Sequence, residues 1–157
     1  MTFTDTHCHL ADPKLADTLP AVLTEAQAAG VARFIVPATS PKDWRAVAQL
    51  ERPSENIHIA LGIHPWFSDG LNEAAFQELE SELIRHPQAW VGEIGLDFYG
   101  KEQTQAQRDT QTDVFIRQLI LAQNLNRRVI IHNLKASAAI AAAVKTAGFT
   151  RGGIVHA

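Results

Sequence analysis

Cysteine is almost missing from this sequence, because Cys8 is the only one among 157 residues. A single cysteine cannot form a disulfide within the chain, and this usage is typical of proteins in a reducing compartment. The first residues also lack the basic segment and the apolar segment of a secretory signal. We therefore expect a cytoplasmic protein in which Cys8 is a small buried hydrophobe rather than a ligand.

Long hydrophobic runs and a strong charge of one sign are missing as well. The apolar stretches are too short to cross a bilayer, so we expect no membrane partner. The net charge of −3 does not indicate a strong binder of polyanions. The charge is nevertheless uneven, since residues 1–100 contain 6 Lys and Arg against 14 Asp and Glu, whereas residues 101–157 contain 8 against 3. The basic residues are either solvated or placed where they attract a phosphate-bearing substrate.

The sequence does contain a repeated alternation of strand-like and helix-like segments. With 46% hydrophobic residues, the chain can bury the core of a single domain, residues 1–157. The spacing of apolar residues predicts strands at 2–8, 32–37, 57–63, 90–96, 128–132 and 153–156, and helices at 20–29, 41–51, 72–86, 104–126 and 136–147. Repeated βα units imply an α/β fold with parallel strands.

Two parallel architectures fit this alternation, an open doubly wound sheet and a TIM barrel. A doubly wound nucleotide-binding sheet needs a Gly-rich turn after its first strand, but Thr6-His7-Cys8-His9 occupies that position. We expect Gly92 and Gly95 to permit close packing inside a strand rather than to cradle a phosphate. In a TIM barrel, strand ends far apart in sequence converge on one mouth. The sequence therefore favours a TIM-barrel-type fold with about six of the eight βα units.

Histidines and one glutamate stand where the predicted strands end. His7 and His9 are two residues apart, so on a strand their imidazoles would face the same way and suit a divalent metal. The other strand ends contribute His64, Glu93, His132 and His156. A lone histidine is more often hydrogen-bonded than metal-bound, but such residues at five strand ends indicate a metal site. His58 and His86 do not end a strand, and we expect them to be structural.

Five segments, taken in order, resemble successive signatures of the TatD family of metal-dependent deoxyribonucleases. They are Asp5-Thr6-His7-Cys8-His9-Leu10, Gly62-Ile63-His64-Pro65, Gly92-Glu93-Ile94-Gly95-Leu96-Asp97-Phe98-Tyr99, Val129-Ile130-Ile131-His132 and Ile154-Val155-His156. The resemblance covers nearly the whole chain. It implies an amidohydrolase-like TIM barrel that holds two divalent metal ions, magnesium, manganese or zinc, and hydrolyses DNA phosphodiester bonds.

The resemblance also implies a role for each residue. His7 and His9 would bind the first metal, His132 and His156 the second, and Glu93 would bridge the two. His64 would lie beside the scissile phosphate, although a purely structural turn is an alternative. Asp97 and Asp5 would lie next to the ligand residues without binding the metals themselves. Asp97 would either orient a ligand imidazole or cap the next turn. Lys135 would be a weak phosphate contact, in place of a basic residue that relatives carry one position earlier.

The chain departs from the family pattern in length. Relatives continue through two further βα units, and the last one supplies an aspartate that ligates the first metal. We expect the isolated chain to have little activity without that aspartate, and to self-associate through the open edges of its sheet, or to be a split product or a fragment.

Three functions stay open at this point. The first is a hydrolase that cleaves DNA, the second a non-catalytic metal-binding remnant or assembly module, and the third a small-molecule amidohydrolase. Glu93 stands where many amidohydrolases carry a modified lysine, and this favours the nuclease branch.

Overall fold

The computed structural model describes residues 1–52, 56–100 and 103–157, and in them six strands alternate with five α-helices. The strands are β1 (Phe3–Asp5), β2 (Val31–Pro37), β3 (Ile57–Leu61), β4 (Trp90–Asp97), β5 (Val129–Leu134) and β6 (Gly153–His156). The helices are α1 (Leu19–Ala28), α2 (Trp44–Ala48), α3 (Glu73–Arg85), α4 (Gln105–Asn124) and α5 (Ser137–Thr146). The predicted alternation is confirmed.

The strands form a single parallel sheet whose order follows the sequence, from β1 to β6. A doubly wound sheet would instead reverse its order at a switch point. The two edge strands approach each other at their carboxyl ends, because the rings of His7 and His156 lie 3.9 Å apart. The sheet is therefore curled. The predicted TIM-barrel-type fold is confirmed, with six of the eight βα units in this chain.

The two faces of the curled sheet are packed differently, because side chains alternate along each strand. The helices cover the outer face, where strand residues such as Ile59 and Ile94 join Phe115 and Leu119 of α4 in the main core. The inner face carries a small separate cluster. It consists of Ile35, Ala60 and Ile130, with Trp90 and Ile154 partly buried beside them.

Strand β1 is shorter than predicted, and His7, Cys8 and His9 lie in a loop. The carboxylate of Asp5 accepts a hydrogen bond from the backbone N–H of His7 at 3.1 Å, which turns the chain out of the strand. Cys8 nevertheless packs against the main core, with its Sγ 3.5 Å from the carbonyl oxygen of Ile35. Burial, assisted by the charge of Asp5, raises the pKa of the Cys8 thiol to about 12. Cys8 thus packs against the core as predicted, but it is partly rather than fully buried.

The helices match their predicted spans closely except for α2. This helix begins at Trp44 rather than near residue 41, because the carboxylate of Asp43 accepts hydrogen bonds from the backbone N–H groups of Thr39 and Ser40, each at 2.9 Å. These bonds hold the preceding residues in a turn. None of the helices in the described parts of the chain is long and apolar enough to cross a membrane.

Two glycines allow β4 to lie close to its neighbour β5. A Cβ on Gly95 would collide with the carbonyl oxygen of His132, and a Cβ on Gly92 would lie 2.8 Å from the Cβ of Ile130. Gly95 also has a φ of 135°, which residues with a side chain rarely adopt. Both glycines have the packing role predicted from the sequence. They bring Glu93 of β4 and His132 of β5 together.

Candidate metal centre

The strand-end residues predicted from the sequence meet at one end of the sheet. His7 and His9 come from the loop after β1, His64 from the residues after β3, Glu93 from β4, His132 from β5 and His156 from β6. Because parallel strands place their carboxyl ends at the same edge, a curled sheet directs these side chains toward a common centre. His58, at the start of β3, lies at the other end of the inner face, and His86 pairs with Glu51 at 2.6 Å. Neither belongs to the cluster.

Glu93 is the centre of the cluster. Its side chain is 4% exposed, and its two oxygens face different histidines. Oε2 lies 3.3 Å from Nε2 of His7 and 4.0 Å from Nε2 of His9. Oε1 lies 3.4 Å from Nε2 of His64, 3.2 Å from Nδ1 of His132 and 3.0 Å from Nε2 of His156. A single carboxylate therefore separates two sets of imidazoles.

The electrostatics of the cluster keep Glu93 ionised and His7 neutral. Burial alone would raise the pKa of Glu93, but hydrogen bonds from His132 and His64 and the nearby imidazoles outweigh it and hold that pKa well below its usual range. Burial lowers the pKa of His7 to about 4 despite the attraction of Glu93. An ionised carboxylate and a neutral imidazole are the forms that bind metal ions.

His132 and His156 differ in their electrostatics. The hydrogen bond with Glu93 raises the pKa of His132 above its ordinary value, more than burial lowers it. Burial lowers the pKa of His156, since the attraction of Glu93 compensates only in part. In the metal-free chain, His132 is therefore the imidazole of this pair that carries the positive charge more readily.

The side chains fit divalent metal ions. Two groups of ligand atoms lie close enough to share an ion, His7 with His9 and Glu93, and His64 with Glu93 and His132. The Nε2 atoms of His7 and His9 lie 3.1 Å apart, a spacing that two ligands of one ion can have. Among the described residues, the buried Nε2 of His156, which lies 3.0 Å from Oε1 of Glu93, also has no hydrogen-bond partner. A cation held by Glu93 would satisfy this nitrogen.

His64 differs from the other histidines in its hydrogen bonding. Its Nδ1 accepts a hydrogen bond from the backbone N–H of Trp66 at 3.1 Å. In a neutral imidazole, an acceptor Nδ1 places the proton on Nε2, which is the atom that faces Glu93. A protonated Nε2 donates hydrogen bonds and cannot ligate a metal. His64 is thus better suited to donate to an anion than to bind an ion, although its distances alone group it with Glu93 and His132.

Asp97 has three partners at the edge of the cluster. Its Oδ1 accepts from the backbone N–H of Tyr99 at 3.0 Å, and its Oδ2 accepts from the indole Nε1–H of Trp66 at 2.7 Å. Oδ2 also lies 3.4 Å from Nε2 of His132, without hydrogen-bond geometry. Asp97 therefore both caps the turn after β4 and lies beside a predicted ligand, the two alternatives that the sequence left open.

The cluster lines a cleft of about 420 Å³. Thr39, Trp66 and Phe67 line it together with the predicted histidines and Glu93, and nothing in the sequence pattern had indicated these three. Asp5 accepts a hydrogen bond from the backbone N–H of His7 and does not line the cleft. Lys135 follows β5, is exposed and does not line the cleft, so its contact with phosphate stays a prediction.

The comparisons with known proteins show the family of the chain. Residues 4–157 match the family model described as "TatD related DNase". The chain is 33% identical to YjjV of Escherichia coli K12, an uncharacterized metal-dependent hydrolase, over 98% of this chain and 59% of YjjV. It is 31% identical to the human deoxyribonuclease TATDN3 over 84% of this chain and 52% of that protein. The chain thus spans about three fifths or less of the length of these relatives.

Two solved structures resemble the fold. The crystal structure of E. coli YjjV, a TatD homolog, superposes with a TM-score of 0.88 at 33% identity, over 98% of this chain and 59% of that one. A TatD family hydrolase from Entamoeba histolytica superposes with a TM-score of 0.79 over 94% of this chain and 55% of that one. At 20% identity, the second likeness concerns the fold alone.

Proposed function

Since the chain belongs to the family of TatD-related DNases, we propose that its cleft is the active site of a metal-dependent hydrolase that cleaves phosphodiester bonds in DNA. The observation that carries this proposal is the position of Glu93, whose two carboxylate oxygens each face a separate set of imidazoles. A carboxylate placed in this way can bridge two cations, and sites with two divalent ions are common among phosphodiesterases.

The residues around Glu93 would divide between two ions. His7 and His9 would hold the first with Oε2, and His132 and His156 would hold the second with Oε1. The chemistry that such a pair supplies is polarisation of the phosphodiester and activation of water. Imidazole ligands favour zinc, whereas phosphodiester hydrolysis with a bridging carboxylate often uses magnesium or manganese, so we propose one of these three.

His64 and Asp97 would assist the metal ligands in different ways, His64 by contacting the substrate and Asp97 by positioning a ligand. With its proton on Nε2, His64 would donate a hydrogen bond to a phosphate oxygen in the cleft, and its Nδ1 is held by the backbone of Trp66. Asp97 would orient the imidazole of His132, because carboxylates beside ligand histidines fix the position of the ring. Asp5 would stabilise the loop that carries His7.

The experiment that tests this function measures metal content and DNA cleavage on the same purified chain. Elemental analysis would count the bound ions, and degradation of single-stranded DNA would be followed with added magnesium, manganese or zinc. Esters and amides of small molecules would be tested beside the DNA. Glu93→Ala is the inactivating variant, and His86→Gln is the control, because His86 lies outside the cluster.

We expect about two metal ions per chain and slow DNA cleavage that Glu93→Ala abolishes and His86→Gln preserves. The cleavage should be slow because the resemblance predicts little activity without the aspartate that relatives carry in their last βα unit. Cleavage of esters or amides without cleavage of DNA would point to a small-molecule amidohydrolase instead. Stoichiometric metal without any hydrolysis would indicate a non-catalytic metal-binding module. The absence of both metal and cleavage would contradict the proposal.

We also propose that this chain self-associates through the edges of its sheet. All three residues of β1 are exposed, and in β6 Val155 is 57% exposed. Edge strands of this kind present unpaired backbone groups to another chain. Light scattering on the purified chain would show assemblies larger than the 17.2 kDa monomer. A uniform monomer over a wide range of concentrations would contradict this expectation.

A further inference from the structure

Trp66 is both strongly exposed and held in a fixed position. The residue is 71% exposed, yet its indole Nε1–H donates a hydrogen bond to the buried carboxylate of Asp97 at 2.7 Å. Its ring meets the ring of His64 at a centroid distance of 5.0 Å and an interplanar angle of 76°. Because a bond along the N–H edge and a nearly perpendicular neighbour cover little of the ring, Trp66 presents a flat apolar surface to solvent.

This surface belongs to the same cleft as Glu93. Trp66 and Phe67 both line the cleft, and Phe67 is itself 43% exposed. No lysine or arginine is among the described residues that line it. The side chains of the cleft therefore offer aromatic surface but no permanent cation to a polyanionic strand.

The ring of Trp66 is not required to position His64. The hydrogen bond to Nδ1 of His64 comes from the backbone N–H of residue 66, which any residue other than proline supplies. The indole N–H does hold Asp97, but this hydrogen bond uses one edge of the ring and does not account for its exposed faces. The geometry instead suits contact with something that enters the cleft.

We propose that Trp66 is a stacking surface for an unpaired nucleobase next to the phosphate bound at the Glu93 cluster. Base stacking on exposed aromatic rings is a general way of binding single strands, and it is tolerant of sequence. Bases within a duplex are stacked on one another and cannot reach such a ring. The chain would therefore select single-stranded DNA, or frayed ends, over duplex DNA. This inference rests on the proposed function, because it assumes that the cleft takes a DNA strand.

The test is the affinity of the whole chain for a fluorescein-labelled oligothymidylate of about eight nucleotides, measured by fluorescence anisotropy. The titration would be run in EDTA, where the strand is not hydrolysed, and repeated with added zinc. A strand of the same length built from abasic residues keeps the phosphates and removes the bases. A duplex of the same length removes the free bases and keeps the backbone.

Three variants separate the ring from its other contacts. Trp66→Ala removes the ring, and Trp66→Phe keeps an aromatic ring but loses the hydrogen bond to Asp97. Tyr99→Ala is the control. Tyr99 lies just after β4, which ends at Asp97, and it is 67% exposed but does not line the cleft. Circular dichroism would establish that each variant is folded.

We expect Trp66→Ala to weaken binding of the thymidylate strand about tenfold, and Trp66→Phe to weaken it about threefold or less. The abasic strand and the duplex would bind the parent and all variants equally weakly, and Tyr99→Ala would match the parent. Equal binding of the thymidylate strand by the parent and Trp66→Ala, including no binding by either, would overturn the proposal. So would an equal loss in Trp66→Ala and Tyr99→Ala.

The same experiment distinguishes this inference from the hydrolase proposal. Ring-dependent binding of the strand without any hydrolysis in the presence of metals would support the stacking role and contradict the hydrolase. Hydrolysis of DNA by a chain whose affinity for the strand does not depend on the ring of Trp66 would support the hydrolase and contradict the stacking role.

Discussion

The two faces of the curled sheet differ in what they bury. The outer face is a continuous apolar layer in which strand residues such as Ile59 and Ile94 pack against Phe115 and Leu119 of α4. The inner face has only a small apolar cluster around Ile130, and at the carboxyl ends of its strands it carries the Glu93 cluster instead. Burying a carboxylate among imidazoles costs free energy unless the groups are paired or hold a metal. The outer face thus stabilises the fold, whereas the inner face carries the candidate metal site.

The first prediction separates the two faces by their contribution to folding. In the metal-free chain, Phe115→Ala should lower the free energy of unfolding by about 3 to 5 kcal/mol, because a fully buried ring of the outer layer is lost. His156→Ala should change it by about 1 kcal/mol or less, because the buried Nε2 of His156 has no hydrogen-bond partner among the described residues. Urea denaturation in EDTA would measure both.

The control for Phe115→Ala is Ile120→Ala in the same helix. Ile120 is 43% exposed, and we expect its truncation to cost about 0.5 kcal/mol or less. A loss in His156→Ala as large as the loss in Phe115→Ala would show that the Glu93 cluster stabilises the fold by itself, and the contrast between the faces would be wrong.

The second prediction concerns metal addition, which should stabilise the chain through the inner face alone. At a free zinc concentration one hundred times the dissociation constant, the free energy of unfolding should rise by about 2.7 kcal/mol. Glu93→Gln should remove this gain, because it removes the charge that faces both sets of imidazoles. Thermal unfolding with zinc and with EDTA would measure the difference.

His86→Gln is the matched control for the zinc experiment, since His86 pairs with Glu51 away from the cluster. It should keep the full gain in stability from zinc. Retention of the gain in Glu93→Gln would mean that zinc binds elsewhere on the chain.

The outer face could be predicted from the sequence more completely than the inner one. Short apolar runs and helical spacing are local signals, so five helices and six parallel strands were predicted with small errors at their ends. The larger errors come from side chains that bond to nearby backbone groups. Asp5 ends β1 early, because its carboxylate binds the N–H of His7, which the pattern had assigned to a strand. Asp43 delays α2, because its carboxylate binds the N–H groups of Thr39 and Ser40 and holds the residues before the helix in a turn.

Within the site, the histidines and Glu93 could be predicted, because each stands inside or just after an apolar strand-like run of the sequence. His7 follows β1, for example, and His132 lies in β5. Trp66 follows a Gly-Ile-His-Pro segment that indicates only a turn. Its orientation in the cleft depends on Asp97, which is 31 residues away in the sequence and contacts it only in the folded chain. No local pattern carries that contact.

The third prediction tests the polar group that is buried in the outer layer. Gln118 of α4 is fully buried, and its side chain accepts from the backbone N–H of Ile63 at 2.7 Å and donates to the carbonyl oxygen of Ile63 at 3.0 Å. Gln118→Leu keeps a similar volume and leaves both backbone groups without their partner. We expect a loss of about 1 to 3 kcal/mol in the free energy of unfolding.

Gln105→Leu is the control for this substitution, because Gln105 is an exposed glutamine in the first turn of the same helix. Its replacement should change the free energy of unfolding by about 0.5 kcal/mol or less. If Gln118→Leu were neutral, the backbone of Ile63 would have another partner, and α4 would not fix the segment that leads to His64.

The last and smallest effect concerns the beginning of α4, which lies outside both faces. The hydroxyl of Thr104 accepts from the backbone N–H of Gln107 at 3.2 Å, and the side chain of Gln107 accepts in return from the N–H of Thr104 at 2.9 Å. Thr104→Ala should lower the free energy of unfolding by about 1 kcal/mol, as expected for a lost helix cap. Thr110→Ala, inside the helix, should have little effect or a slight gain, because alanine is the better helix former. Urea denaturation of the two variants gives the difference.

A loss of stability in Thr104→Ala as large as in Phe115→Ala would mean that the cap stabilises α4 as much as the core does. Packing on the outer face would then not be the main source of stability.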